Sequence, residues 1–599
     1  MNACDSSLYL HAAKNFENNP GQLHAYKSQS HCVVLAGPGS GKTAVLTVKL
    51  ARLLAEEVRN PRGIACITYN NECVREIESR LSILGIQPSA RVYIGTVHSF
   101  SLSQIILPYA KSAGLNLPDD FQIASSNQKK ASLTRAYDRV IGGQDDPQKR
   151  WELQMTKYRR SILDRNSVQW RTEDATLAQL VETYEEELRH DGLIDFEDMP
   201  LLALQALNNH EWVRKAMFAK FPILAVDEYQ DLGHALHGMV SKLCFEAGIR
   251  LFAVGDGDQS IYGFTGADPV LLKQLSERQD VETVKLPLNY RCGSHIVAAS
   301  KFALGEERDY ESSDSTSRGT IYFHPSIQDY MSQANHLFAV VLPNIFERIS
   351  GLRLGEIAVL YPAAYIGDFV AEAAKTHGLG ITRTDNKALY PRYSRVMRWI
   401  ELCAAWSCEG WRTGTPRFSK LVSESTHLFS DVLISQDDCE DFRRKLIQFL
   451  WESSRNLEEK LYIWLQRLVH QLLIDIFSAS NQLSEEADIV DAFIGKLAPD
   501  GIAESMTLSQ FAEQGVGINH IALSTLHSAK GREFRIVILF GMDQGCIPRH
   551  NISIKMQTEA RRLFYVGFTR TKEELHIMYS SAKPSPFVVE VKQRLQVGA

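Results

Sequence analysis

Among 599 residues there is no uninterrupted apolar stretch of about 18, the length a membrane-crossing helix requires. The opening MNACDSSLYLHAAKNF lacks the basic-then-apolar layout of a secretory leader. Ten cysteines are scattered without a single CxxC pair, so a disulfide framework, a zinc site or an iron–sulfur cluster is not expected, and a reducing cytoplasm fits. A surplus of positive charge is missing as well. Lys plus Arg number 65 against 71 Asp plus Glu, leaving a net charge of −6. A uniformly basic coat for nucleic acid is thereby excluded, and any such binding must use a local groove. The hydrophobic share of 44% and charged share of 23% are ordinary for a soluble globular chain. Its length exceeds what one core fills, and three or four domains are expected.

What is present begins with HCVVLAGPGSGKTAVLTVKLARLLAEE. Cys32 to Leu35 is a short apolar strand, Gly37 to Gly41 a glycine-rich turn, and Thr43 opens a helix with apolar residues at helical spacing. Glycines let backbone wrap a phosphate chain, and a helix start aims unpaired N–H groups and a positive dipole end at it. Lys42 supplies a point charge to the terminal phosphates and the Thr43 hydroxyl a ligand for magnesium. The loop Ala36, Gly37, Pro38, Gly39, Ser40, Gly41 opens on alanine where this motif normally has glycine.

A second apolar strand, FPILAVDEYQDL, ends in Asp227 and Glu228. Asp227 is placed to hold magnesium, and Glu228 to polarise water for attack on a γ-phosphate. RGIACITYNN, RVYIGTVHSF and IRLFAVGDGDQ also run apolar and turn polar at their carboxyl ends, the edge where open parallel sheets gather ligands. The stretch VGDGDQSIYGFTGADP then sets Asp256, Asp258 and Gln259 beside Tyr262 and Phe264. Its polar half points to the γ-phosphate. Its aromatic half needs a second partner.

The order of these pieces resembles superfamily 1 DNA helicases of the UvrD/Rep/PcrA type. The matching segments are Gln22 in PGQLHAY, AGPGSGKT, TYNN, GTVHSF, DFEDM, VDEYQD, VGDGDQSIYGF, LNYR, STLHSAKGREF and EARRLFYVGFTRTKEEL. The resemblance implies an α/β protein with two RecA-like P-loop NTPase domains, doubly wound parallel sheets with ATP between them, each carrying a helical insertion. It further implies that Gln22 reads adenine, Tyr290 stacks on the base, Gln259 senses the γ-phosphate and Arg291 and Arg570 act as arginine fingers. Gly531 and Glu533 would close on the nucleotide. Tyr69, Tyr262 and Phe264 would serve as stacking platforms for single-stranded bases, with Phe264 the foremost and Tyr262 divided between packing and DNA. Thr96, His98, Thr525 and His527 would lie along the DNA backbone. Base–aromatic stacking is indifferent to sequence and worth about 1–3 kcal/mol per base.

Some positions depart from the family pattern. Ala44 stands where relatives often carry arginine, Phe264 and Thr265 replace Trp-Arg, Glu72 replaces a lysine, and Ala560 a glutamate. These substitutions suggest intact ATPase chemistry with a modified grip on DNA.

The expected division is 1–102 and 190–290 for the first RecA-like domain with 103–189 inserted. The second follows as 291–384 and 516–599, with 385–515 inserted. The polar stretch at 305–319 reads as a loop or linker. Bases in KKASLTRAYDRV and QKRWELQMTKYRR read foremost as a solvated face. The five tryptophans from Trp399 to Trp464 read as core. The leading functional expectation is an ATP- and Mg2+-dependent helicase or translocase moving 3′ to 5′ on single-stranded DNA and opening tailed duplexes. The alternative is a DNA-stimulated ATPase acting as motor or sensor for a nuclease partner, as in anti-phage modules such as Gabija.

Overall fold

The computed structural model describes residues 6–86, 91–118, 120–263, 266–313, 316–326, 329–480, 483–516 and 519–597. The chain divides into two compact units, residues 1–318 with 553–569, and residues 319–552 with 570–599.

The first unit is built on six parallel strands: β1 (His31–Ala36), β2 (Ile64–Thr68), β3 (Val92–Thr96), β4 (Ile223–Val226), β5 (Arg250–Gly255) and β6 (Val281–Leu286). They lie in the order β3-β2-β4-β5-β1-β6. These segments are rich in β-branched residues, and β2 and β4 are buried at every position, as expected for strands covered on both faces. Period-two alternation divides β1. Val33 joins one core layer, while Cys32 and Val34 join the layer under helix Lys42–Glu56. Leu35 is level with Gly255, and Val226 with Ala253, so three carboxyl ends finish side by side.

Helices Ser126–Val140, Pro147–Ser161 and Ala175–His190 form the insertion around Trp170, which has no exposed surface. Much of its basic character is spent internally. Buried Arg159 pairs with Asp195 at 2.7 Å, with Glu185 at 3.2 Å and with Asp198, and Arg160 pairs with Glu197 at 2.5 Å. The DFEDM segment is therefore the ionic seam that fixes the insertion to the sheet. Arg135 and Arg139 both reach Glu187 at 2.6 Å.

The second unit repeats the plan with β7 (Thr320–Ser326), β8 (Ile357–Tyr361), β9 (Ile381–Arg383), β10 (Ile521–Thr525), β11 (Phe534–Leu539) and β12 (Thr571–Ser580). Their order is β7-β12-β11-β8-β10-β9, again all parallel. Its insertion runs from helix Arg395–Ala405 to helix Leu508–Val516 around Trp399 and Trp464, neither exposed. Cutting such a tryptophan to alanine costs about 3–5 kcal/mol.

Three expectations are modified. Trp406 is core, but Trp411 and Trp451 are 40% and 46% exposed and meet edge-on at 5.3 Å. Residues 291–318 and 553–569 both belong to the first unit, not the second, and helix Ser294–Leu304 packs on helix Ile554–Phe568, whose Arg561 guanidinium donates to the Ala303 carbonyl at 3.2 Å. The polar stretch after residue 305 is no free linker. Glu311–Ser312 forms a short parallel pair with Leu288–Asn289. Among the described residues, no helix is long and apolar enough to cross a membrane.

Candidate nucleotide and nucleic-acid site

The turn after β1 is shaped by what crowds it. Gly41 caps helix Lys42–Glu56 from the left-handed region (φ 80°), and a Cβ there would meet the Gln22 amide at 2.7 Å. Gln22 donates from Nε2 to the Ser40 carbonyl at 2.8 Å, and its own N–H is held by Asn19 Oδ1 at 3.0 Å. Asn19 also donates to the Tyr290 hydroxyl at 2.8 Å, and the Tyr290 N–H donates to the Gly39 carbonyl at 2.8 Å. The structure thus gathers Gln22, Ser40, Gly41 and a 40% exposed Tyr290 around one corner of the loop. Ala36 and Pro38 are buried beneath it. Gly39 abuts Arg291, where a Cβ would lie 2.7 Å from Arg291 Cβ.

A residue that the sequence reading passed over holds this corner. Lys49 is buried, and its ammonium donates to the carbonyls of Ala25, Tyr26 and Ser28 at 3.0, 3.1 and 2.6 Å. It caps the carboxyl end of helix Pro20–Lys27, which carries Gln22, where the helix dipole favours a cation. Burial, helped by Arg52, pulls the Lys49 pKa down to about 7.

At the end of β4, Asp227 is buried and accepts the Glu228 N–H at 3.0 Å. Glu228 sits in the left-handed region (φ 51°, ψ 44°), where a non-glycine residue stores strain of about 1–3 kcal/mol. That backbone turns its carboxylate toward Lys42, whose Nζ lies 3.6 Å from Oε1. Gln230 ties the neighbouring strand in, donating to Glu228 while its own amide oxygen accepts the Asp256 N–H at 2.8 Å. Gln259 is buried and donates to Asp256 at 2.5 Å. Lys42, Asp227, Glu228, Asp256 and Gln259 are therefore one cluster.

Its electrostatics are those of crowded, buried carboxylates. Burial pushes the Asp227 carboxyl up to about 7, with Glu228 adding and Lys42 opposing. Asp256 rises to about 6, again mainly through burial, Lys42 opposing and Asp258 adding. Thr43 at the helix start and Asp227 supply hard oxygen donors. Among the described residues no group of three or more His, Cys, Asp or Glu is placed so that it could by itself hold a metal ion.

Next to this cluster, Tyr69 after β2 and Tyr262 after β5 stack on one another, with ring centroids 4.6 Å apart and planes 25° apart. Tyr262 is thus a packing partner of Tyr69, and burial raises its phenol well above the usual value. Phe264 lies outside the described residues. His98 stacks on Phe196 at 4.0 Å and 17°, and burial lowers it to about 4, so its imidazole is neutral. The Thr96 hydroxyl accepts the Ser99 N–H at 3.2 Å and caps the following turn. Tyr69, His98, Arg160, Glu197, Asp231 and His234 line a cavity of about 80 Å³.

The second unit carries the remaining residues. Thr525 is a turn cap, donating to Ser528 Oγ at 3.0 Å, and burial lowers His527 to about 4. Gly531 adopts φ 85°, and Glu533 pairs with Lys572 at 2.7 Å. Arg570 is buried, its guanidinium reaching the Arg532 carbonyl at 3.4 Å.

Residues 18–280 match the UvrD/REP helicase N-terminal domain, and residues 429–582 the UvrD-like helicase C-terminal domain. The chain belongs to the UvrD-like helicase family. Its similarity to named members extends over nearly full length. It is 25% identical to the ATP-dependent DNA helicase Rep of Escherichia coli (strain K12), covering 96% of this chain and 94% of the relative. It is 25% identical to DNA helicase II of the same organism, covering 94% and 86%, and 24% identical to the ATP-dependent DNA helicase PcrA of Staphylococcus epidermidis, covering 94% and 84%. In this UvrD-like chain the residues missed from sequence are Asn19, Lys49, Gln230, Asn289, whose Oδ1 accepts the Arg291 N–H at 2.8 Å, and Arg308 and Tyr310, which both bond to the Asp258 carboxylate. Gln230 and Asn289 lay inside quoted motifs. The others had no periodicity or spacing to mark them.

Proposed function

We propose that this chain is an ATP-dependent DNA helicase that moves 3′ to 5′ along single-stranded DNA. The observation that carries the reading is the convergence of Lys42, Asp227, Glu228 and Gln259 at one sheet edge, with the Tyr69–Tyr262 stack beside it. Polarity rests on family membership.

The loop Gly37–Gly41 and the start of helix Lys42–Glu56 bind the phosphates, and Gln22 and Tyr290 bind the base. Thr43 and Asp227 would hold Mg2+, which would supply positive charge to offset that of the phosphates. Glu228 accepts a proton from the attacking water, and its strained backbone fixes that carboxylate against Lys42. Gln259 reads the γ-phosphate. Lys42, Arg291 and Arg570 stabilise charge on the transferring group. Gly531 and Glu533 contribute from the second unit, and Tyr69, Tyr262, Phe264, Thr96, His98, Thr525 and His527 contact DNA. Gln259 and Tyr262 share one connection after β5, so a change at the phosphate displaces the aromatic stack.

The test is strand displacement on tailed duplexes, with ATP hydrolysis measured with and without single-stranded DNA. Opening of a 3′-tailed duplex and DNA-stimulated hydrolysis are expected. Opening of only a 5′-tailed duplex overturns the polarity, and hydrolysis indifferent to DNA overturns the helicase reading. The alternative, a motor subunit with a nuclease partner, expects stimulated hydrolysis with little displacement by the isolated chain.

A further inference from the structure

Asp258 lies on the connection after β5, immediately before the γ-phosphate sensor Gln259 and four residues before Tyr262, and it is held from a segment outside the motifs that carry the family likeness. Arg308 grips it with two parallel bonds, Nε and Nη2 each 2.7 Å from a carboxylate oxygen, and the Tyr310 hydroxyl donates to the same carboxylate at 3.0 Å. Asp258 is buried, and its own N–H donates to Asp256 at 3.0 Å, the residue that also holds Gln259. Tyr310 has a second contact. Its ring lies so close over Gly37 that a Cβ there would stand 2.5 Å from Cε1. One short segment thus touches both the phosphate loop and the sensor loop.

The same segment is fixed at its far side. Glu311 N–H donates to the Pro287 carbonyl at 3.1 Å and Ser313 N–H to Asn289 at 2.8 Å. Beyond it the chain enters the second unit at residue 319. The chain returns at 552–553 and enters the second unit again at 569–570, led in by helix Ile554–Phe568. Its Tyr565 is fully buried within electrostatic reach of Tyr310, Asp256 and Asp258, and its hydroxyl has no hydrogen-bond partner among the described residues. The segment leading to 318–319 and the helix leading to 569–570 therefore each carry a tyrosine near Asp258.

We propose that Arg308 and Tyr310 are positioning residues that clamp Asp258, so that the state of the phosphate site is transmitted through the Gln259 loop to the segments entering the second unit. The inference rests on the nucleotide-site reading above and deepens it. A bidentate arginine–carboxylate bond is directional, so the clamp transmits displacement as well as attraction.

The test is hydrogen exchange on the full chain with a non-hydrolysable ATP analogue, with ATPase kinetics alongside. In the native protein the analogue should protect residues 255–262 and 305–313 together. In Arg308→Ala, protection of 255–262 should persist while that of 305–313 is lost. DNA-stimulated turnover should fall about tenfold, the scale of a lost charge-assisted pair, with the KM for ATP unchanged. Arg308→Lys should not restore it, because lysine lacks the fork. Tyr310→Phe removes one hydroxyl and keeps the ring on Gly37, and should give a weaker form of the same uncoupling. Arg308→Ala and Asp258→Asn should be non-additive. Native-like protection of 305–313 in both variants overturns the clamp, as do additive losses. Absence of DNA stimulation in the native protein instead overturns the helicase reading, and the exchange result still decides the clamp.

Discussion

Two sheets of six parallel strands end in very different chemistry. In the second unit one buried acid near the strand ends is Asp385, which lies 2.7 Å from the Arg383 guanidinium and accepts the Tyr361 hydroxyl at 2.5 Å. Arg383 also holds Asp368 at 2.7 Å. In the first unit Asp227 and Asp256 are just as buried, but among the described residues no arginine pairs with either, and both are pushed far above the usual carboxylate range. Asp385 is neutralised by its own neighbours, whereas Asp227 and Asp256 are left to crowd one another's surroundings beside Lys42. A shared fold does not distribute function evenly, since chemistry lies in what the loops leave unneutralised.

The contrast can be broken most sharply at Glu228. Glu228→Gln should reduce ATP turnover by about 10³-fold or more while sparing ATP binding, measured by steady-state hydrolysis and equilibrium titration. Asp385→Asn should instead lower the melting temperature, through about 1–3 kcal/mol of orphaned partners, and leave turnover within about twofold. Equal loss of activity in both would erase the distinction. Next in size, Tyr262→Ala should weaken single-stranded DNA binding by about tenfold or more, with Tyr262→Phe near native, measured by fluorescence anisotropy. A result in which the phenylalanine variant is the worse one would move the role from ring to hydroxyl. Gln22→Ala should raise the KM for ATP several-fold and narrow the preference for ATP over GTP, at nearly constant kcat.

The smallest effect concerns His98. Its folded pKa of about 4 lies below the unfolded value of about 6.5. The stability it contributes is fully present above about pH 6.5 and is lost as pH falls through 4. Imidazole resonances followed by NMR should show His98 neutral at pH 5.5, and DNA affinity should carry no step near 6.5 from this residue. A protonated His98 at pH 6 would mean that the Phe196 stack opens.

Legibility from sequence followed the range of the forces involved. The phosphate loop, the acids after β4 and the run through Gln259 could be read because an apolar strand followed by glycines or carboxylates is a local pattern. So could the two parallel sheets. The clamp on Asp258 could not, because Arg308 and Asp258 are far apart in the chain and meet only through the fold. Nor could the fates of the tryptophans. Trp399 and Trp411 stand in one compositionally uniform stretch, and only packing separates the sealed ring from the open one. Thr96 and Thr525 look like DNA-facing hydroxyls in sequence, but each is also engaged in capping its own turn.

The left-handed backbone at Glu228 has a consequence for how this enzyme tolerates change. Glycine or asparagine there would relax the chain, so a library screened for heat resistance alone should drift toward those residues, at the expense of the carboxylate proposed to activate water.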